Sequence, residues 1–177
     1  MKKPVDFTDS HTQIEVQSEI ERLQTLFNTG LITNPKLNSS NPFYISVLTE
    51  ILILLNDLLQ KVKNTNRISF KEYIDVNKNF EGDGKNDITD LIRYLRNAVC
   101  HIDNDKRDLV KGWIVSFNFI HGYTRTTPDN PPDNVDDLAI LMGGTRLYIN
   151  SHLVRVWEEI KLAYFSMKEF EDFQHRF

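Results

Sequence analysis

Cysteine is almost missing from this sequence, where Cys100 stands alone. One thiol closes no internal disulfide and builds no multi-thiolate zinc site, which fits a reducing compartment. Long apolar runs are missing too. No stretch approaches the roughly 18 uninterrupted apolar residues of a membrane span. The start, Met1-Lys2-Lys3-Pro4-Val5-Asp6, passes from two lysines into polar residues without the apolar heart of a secretion signal. The expectation is a cytoplasmic protein with no membrane partner. Excess positive charge is also lacking. A net charge of −4 over 177 residues excludes a broad cationic surface that grips nucleic acid through many phosphates. Contact with RNA must then be local, and DNA is not an expected partner.

Several catalytic signatures are absent as well. There is no HExxH, no paired CxxC, no GxxxxGK phosphate loop and no GxSxG elbow, so zinc hydrolases, nucleotide triphosphatases and serine hydrolases lack their minimal equipment. The polar loop Asn77-Lys78-Asn79-Phe80-Glu81-Gly82-Asp83-Gly84 has oxygen donors at alternate positions and a glycine sixth, as a calcium loop does. Its twelfth position is Ile88, where a bidentate glutamate is required. No metal and no cofactor are expected.

What is present is 40% hydrophobic and 26% charged, ordinary for a globular chain, with no repeat and no compositional break, so residues 1–177 are read as one domain. Helical spacing of Ile14, Ile20, Leu23, Leu26 and Phe27 predicts a first helix over 12–28, with Ser10 and Gln13 as a weak capping box and Gly30 as the stop. Asn41-Pro42 opens a second helix to about Lys63. That helix is apolar on most sides and central to the packing. Ser69 to Ile74 adds a short turn. Asp87 caps a third helix, with Asp90 in its first turn and Ile88, Leu91, Ile92, Leu95, Ala98 and Val99 as the buried stripe. Trp113 to Ile120 reads as a strand. Gly143-Gly144 between Leu138–Met142 and Thr145–Ile149 reads as a hairpin. A last helix, capped by Asn150 or Ser151, runs to about Phe170, with Val154, Val156, Trp157, Ile160, Ala163, Tyr164 and Met167 inward. The expected fold is mainly α. Four helices form an up-and-down bundle, and a small antiparallel β-sheet is inserted at about 110–150, between the third and fourth.

One helix end carries chemistry. Arg96 is followed directly by Asn97, and four residues separate Arg96 from His101. An arginine and histidine at such spacing arise roughly once by chance in a chain of this composition. Arg146 and His152 are a second case, divided between a strand end and a helix start. The stretch from Asp87 to His101, with Leu95-Arg96-Asn97-Ala98-Val99-Cys100-His101 at its end, resembles the motif helix of the HEPN superfamily, in which arginine, a following polar residue and a histidine four to six places on recur. The preceding helix from Asn41 and the strand-bearing insert resemble a plasmid-borne branch of predicted HEPN ribonucleases. Two residues past the histidine this chain has Asp103, where HEPN toxins paired with a minimal nucleotidyltransferase often carry tyrosine.

The resemblance implies a four-helix HEPN-like fold, RNA as substrate, a homodimer with a composite site, and a toxin or defence role with an antitoxin as a further candidate partner. The residue types suit that chemistry. Histidine moves protons near neutral pH, and arginine offers two parallel hydrogen bonds to phosphate oxygens. At 100° per residue, Arg96 and His101 stand about 140° apart around the helix and about 7.5 Å apart along it. Arg93, Asn97 and His101 share a stripe, with Arg96 reaching in from the side. Arg96, His101 and Asn97 are the catalytic candidates, and Arg93 is the RNA-binding one. The neighbouring Cys100 is expected to be a packed thiol, and histidines 11, 121, 152 and 175 receive no role. Two alternatives stay open: a non-catalytic HEPN-like module that binds RNA or a nucleotide, and a helical interaction scaffold. The module would use the same residues, whereas the bland reading of the helix end is that Arg93 and Arg96 pair with acids such as Asp90 and that His101 merely caps it.

Overall fold

The structure is a computed structural model that describes residues 5–34, 41–63, 88–100, 118–121, 137–142 and 145–173. The expected turn at 69–74, the polar loop at 77–84, the Asp87 cap, Asp103 and most of the first strand lie outside them, as do His101, His175 and the Gly143-Gly144 turn itself.

Among the described residues the chain is mainly helical, with a small antiparallel sheet between the third and fourth described α-helices. The elements are α1 (Ser10–Asn28), α2 (Tyr44–Lys63), α3 (Ile88–Cys100), β1 (Asn118–His121), β2 (Leu138–Met142), β3 (Thr145–Tyr148), a π-helical segment (Ile149–Val154), α4 (Arg155–Phe165) and a 3₁₀ segment (Lys168–Phe173). In the sheet, β2 lies between β1 and β3. Met142 pairs with Thr145, so β2 and β3 are antiparallel neighbours, as the predicted hairpin requires.

α1 begins one residue earlier than Ser10 would cap it. The Asp9 carboxylate accepts from the Thr12 backbone N–H at 2.9 Å, and Gln13 reaches back to the Phe7 carbonyl at 2.9 Å rather than completing a capping box. The buried line of α1 is Val16, Ile20 and Leu23, with Leu26 and Phe27 half-buried beside it. Ile14 is 65% exposed, because it is rotated about 200° from Val16. Before α2, the Asn41 side chain accepts from the Phe43 N–H at 2.9 Å, so Pro42 lies in the capping turn and the helix proper starts at Tyr44.

α2 is the central helix, packing against α1, α3 and α4. Leu48, Ile51, Leu52, Leu55, Leu58, Leu59 and Val62 are fully buried along it. Arg22 pairs with Glu50 while Glu15 and Glu19 pair with Lys61, so later residues of α1 meet earlier residues of α2 and the two helices are antiparallel. Phe27 stacks on Trp157 and Phe7 packs edge-on to Tyr164, so α4 is antiparallel to α1 as well. Phe7, Tyr164 and Phe170 form a triangle of edge-to-face rings with centroids 5.6–6.2 Å apart. That triangle ties the segment before α1 to the 3₁₀ segment.

The stripe predicted for α3 is the one observed: Ile88, Leu91, Ile92, Leu95 and Ala98 are buried and Val99 is half-buried. On the sheet, the cross-strand pair Ile140 and Leu147 is fully buried and belongs to the same apolar cluster as the helices.

The start of the last helical region departs from expectation. Neither Asn150 nor Ser151 caps it with its own side chain. The buried carboxylate of Asp137 does so from the start of β2. It accepts from the Asn150 N–H at 3.0 Å and the Ser151 N–H at 2.7 Å. The first turn is wide, with the Arg155 N–H bonded to the Asn150 carbonyl five residues back. Val156, Trp157, Ile160, Tyr164 and Met167 face the core as predicted, and Val154 and Ala163 flank them.

Candidate functional site

The outer face of α3 presents Arg93, Arg96 and Asn97, all half-buried. Their order follows from the apolar stripe centred on Leu95. With Arg93 opposite that stripe, Asn97 lies about 40° to one side and Arg96 about 60° to the other. The Arg96 Nη1 donates to the Asn97 Oδ1 at 2.9 Å, which fixes one corner of the guanidinium plane. Its Nε is buried and has no hydrogen-bond partner among the described residues. Arg93 is engaged differently. Its Nη2 donates to the Asp90 Oδ1 at 2.7 Å in an i,i+3 ion pair, so the pairing weighed from sequence holds for Arg93. His101 follows the last described residue of α3 and its placement lies outside the described residues.

Cys100 is exposed, which corrects the packed-thiol expectation. It sits about 20° from Arg93 around the helix, on the polar face.

Between α1 and α2 lies a cluster of ionisable groups that the sequence reading did not single out. The Lys61 ammonium donates to Glu15 at 2.9 Å and to both oxygens of Glu19 at 3.0 Å, and it pairs with Asp57 at 2.8 Å. The three carboxylates bring oxygens within 4.8 Å of one another, an arrangement able to hold a cation. Lys61 already supplies one, so the cluster is satisfied without a metal. Burial, together with a hydrogen bond to Asp57, pushes the Glu19 carboxyl up to about 8. Glu19 therefore carries the proton of that carboxyl pair near neutral pH. Burial would raise Asp57 too, but hydrogen bonds from Glu19 and Lys61 and the charges of Lys61 and Arg96 hold it below the usual carboxylate value. Burial works against the Lys61 charge, yet its bonds to Asp57, Glu15 and Glu19 keep it above an ordinary lysine. Tyr164 of α4 closes the cluster. Burial, then the charges of Glu19 and Asp57, raise its phenol, which donates to the Leu58 carbonyl at 3.1 Å.

A second polar cluster lies where the sheet meets the last helical region. His152, given no role from sequence, is buried, and its Nδ1 accepts from the Tyr148 N–H at 3.1 Å. Burial, opposed by Asp137 and assisted by Arg155, lowers its pKa to about 4. The imidazole is therefore neutral near pH 7, with its proton on Nε2. It serves as a structural acceptor. Arg146, its partner in the chance motif, lies on β3.

Comparison with profiles of known protein families, with curated proteins and with solved structures gave no match for this chain. Among the described residues, no helix is long and apolar enough to cross a membrane.

Proposed function

We propose that this chain is a metal-independent endoribonuclease with a HEPN-like four-helix fold, which cuts RNA phosphodiesters through a composite site at a homodimer interface. The observation that carries this reading is the hydrogen bond from Arg96 to Asn97 on the polar face of α3, next to the chain position of His101. It gives the cation of the motif a defined orientation where the family resemblance calls for one. Arg96 steadies the negative charge that builds on phosphorus, and Asn97 orients it. His101 removes the 2′-hydroxyl proton. The resulting alkoxide attacks phosphorus, a protonated histidine gives its proton to the departing 5′-oxygen, and a 2′,3′-cyclic phosphate remains. One chain supplies one such histidine, so the second comes from a partner protomer related by a two-fold axis. Arg93 adds a local RNA contact at the edge of the site. In this reading the protein works in the cytoplasm as a toxin or defence protein, with an antitoxin as a further partner.

The Arg93–Asp90 ion pair favours a second reading, a non-catalytic RNA-binding module, because it leaves Arg96 as the cation on the described part of this face without a carboxylate partner. Labelled RNA incubated with the protein in EDTA separates the two. Cleavage to cyclic phosphate ends by the wild type and none by His101→Ala supports the enzyme. Retention of uncut RNA that is lost in Arg96→Ala supports the module. Indifference to both substitutions overturns both readings and leaves a scaffold.

A further inference from the structure

The two arginines on the outer face of α3 are held by partners of different charge. The Arg96 Nη1 donates to the neutral Asn97 amide oxygen at 2.9 Å, so the group that fixes this guanidinium does not cancel its charge. The Arg93 Nη2 donates to the Asp90 Oδ1 at 2.7 Å. That bond is an ion pair in which the arginine side chain is 39% exposed and the aspartate side chain 12%, so the carboxylate is the covered member and the guanidinium the open one. Asp90 stands in the first turn of α3, where the helix dipole favours its negative charge. Arg93 lies one turn on, and both ends of the pair ride on one helix. Fully exposed pairs of this kind are weak, but a carboxylate withdrawn from water loses more when its counter-charge leaves. Arg93 is therefore within reach of an anion in solution and already neutralised. Arg96, three residues on and so its neighbour on the helix surface, keeps its charge.

We propose that Asp90 is an internal competitor for phosphate at Arg93: a phosphate engages Arg93 only by displacing this carboxylate, whereas Arg96 receives one directly. The identity of the ligand rests on the RNA reading of this face, but the competition itself does not. The contact of Arg93 with a strand becomes conditional. A phosphate that takes Arg93 leaves Asp90 unpaired beside it, and the cations drawn back to that carboxylate offset the counterions released from the strand. A lone phosphate stays at Arg96. A chain of phosphates, once tethered there, presents its next phosphate to Arg93 at high effective concentration and can open the pair. Asp90 thereby favours strands over ligands with one phosphate.

Two probes test this on the full chain in EDTA: inorganic tripolyphosphate, and a labelled single-stranded RNA whose binding is followed in the His101→Ala background so that no strand is cut. Asp90→Asn should bind tripolyphosphate about fivefold more tightly than the wild type, the worth of releasing one such pair. Combining it with Arg93→Ala should abolish the gain. With RNA, Asp90→Asn should steepen the dependence of log K on log salt by about 0.7, the signature of one added phosphate contact, and Arg93→Ala should return it to the starting slope. Equal tripolyphosphate affinity in wild type and Asp90→Asn overturns the proposal. So does a gain that persists without Arg93, or an equal gain in Glu158→Gln, which breaks an i,i+3 acid–lysine pair on α4 and changes the net charge by the same amount. Should Asp90→Asn fail to fold, Asp90→Ala, a stronger helix former at that position, is read by the same criteria. A tripolyphosphate gain that depends on Arg93, with RNA retained by no variant, leaves the competition standing and overturns the RNA reading instead.

Discussion

Lys61 is a half-buried charge and Asp137 a buried one, with side chain or residue 12% and 3% exposed respectively, and their surroundings differ in kind. Lys61 is met by other ionisable side chains from a neighbouring helix and its own. Asp137 is met by backbone N–H groups and the Asn150 amide, with a neutral imidazole close by. The first cluster balances charge with charge, so each member depends on the protonation of the others. The second satisfies a charge with fixed dipoles at a helix start, which do not titrate. Above about pH 6.5 the pH sensitivity should therefore concentrate at α1 and α2, and the mechanical dependence on one side chain at the sheet.

Breaking the first cluster should have the largest effect. Lys61→Met keeps the α2 packing but leaves Glu15, Glu19 and Asp57 without their ammonium. Urea unfolding at pH 8 should show a loss of about 3 kcal/mol, roughly halved at pH 5, where Glu19 is protonated. A loss independent of pH would mean that the lysine stem, not its charge, matters. Breaking the second cluster comes next. Asp137→Ala strips the remote cap from Asn150 and Ser151 and should cost about 2 kcal/mol, with the same value at pH 6 and pH 8.

The smallest effect sharpens the comparison most. Glu19 has a folded value of about 8 against 4.5 for the free group, so the folded chain binds more protons than the unfolded one between these values and stability falls as pH rises through that window. His152 has a folded value of about 4 against 6.5, so the unfolded chain binds more protons there and stability falls as pH drops through that window. The two oppose each other between about 4.5 and 6.5, and Glu19 acts alone from 6.5 to 8. The wild type should therefore lose stability as pH rises from 6.5 to 8. Glu19→Gln should remove that slope and gain about 1 kcal/mol at pH 8. His152→Asn, whose Oδ1 can replace Nδ1 as acceptor, should instead flatten the acid limb. Equal slopes in wild type and Glu19→Gln would place the sensitivity elsewhere.

Much of the fold was legible because it rests on local rules. The α3 stripe follows from 100° spacing, the Asn41 cap from residue type, and the antiparallel pairing of β2 with β3 from two apolar runs around a Gly-Gly pair. What was not legible depends on distant partners. Asp57 and Lys61 are an i,i+4 pair, and Glu15 and Glu19 share a face by the same spacing. Only the antiparallel packing of α1 on α2 merges them. The Asp137 cap lies 13 residues before Asn150, outside the range in which a capping signal is sought, so the nearest polar residues were credited with it. In α1, Ile14 counted toward an approximate spacing that Val16 in fact satisfies. On the candidate site, the sequence placed Arg96, Asn97 and Arg93 on the outer face, where they are. The Arg93–Asp90 pair was weighed there too and forms, but the acidic cluster on Lys61, whose Asp57 feels the Arg96 charge, was not foreseen.

The wide π turn after β3 has a consequence for how this chain tolerates change in length. By closing its hydrogen bonds one residue further back, it stores a spare residue between a strand whose exit is fixed by the sheet and a helix whose phase is fixed by Trp157 and Tyr164. A one-residue deletion within 149–154 could be absorbed by narrowing the turn to an ordinary α turn, leaving the downstream face unrotated, whereas the same deletion within α4 would swing every later side chain by about 100°. The joint between sheet and bundle is thus a slack link, and the helices on either side of it are not.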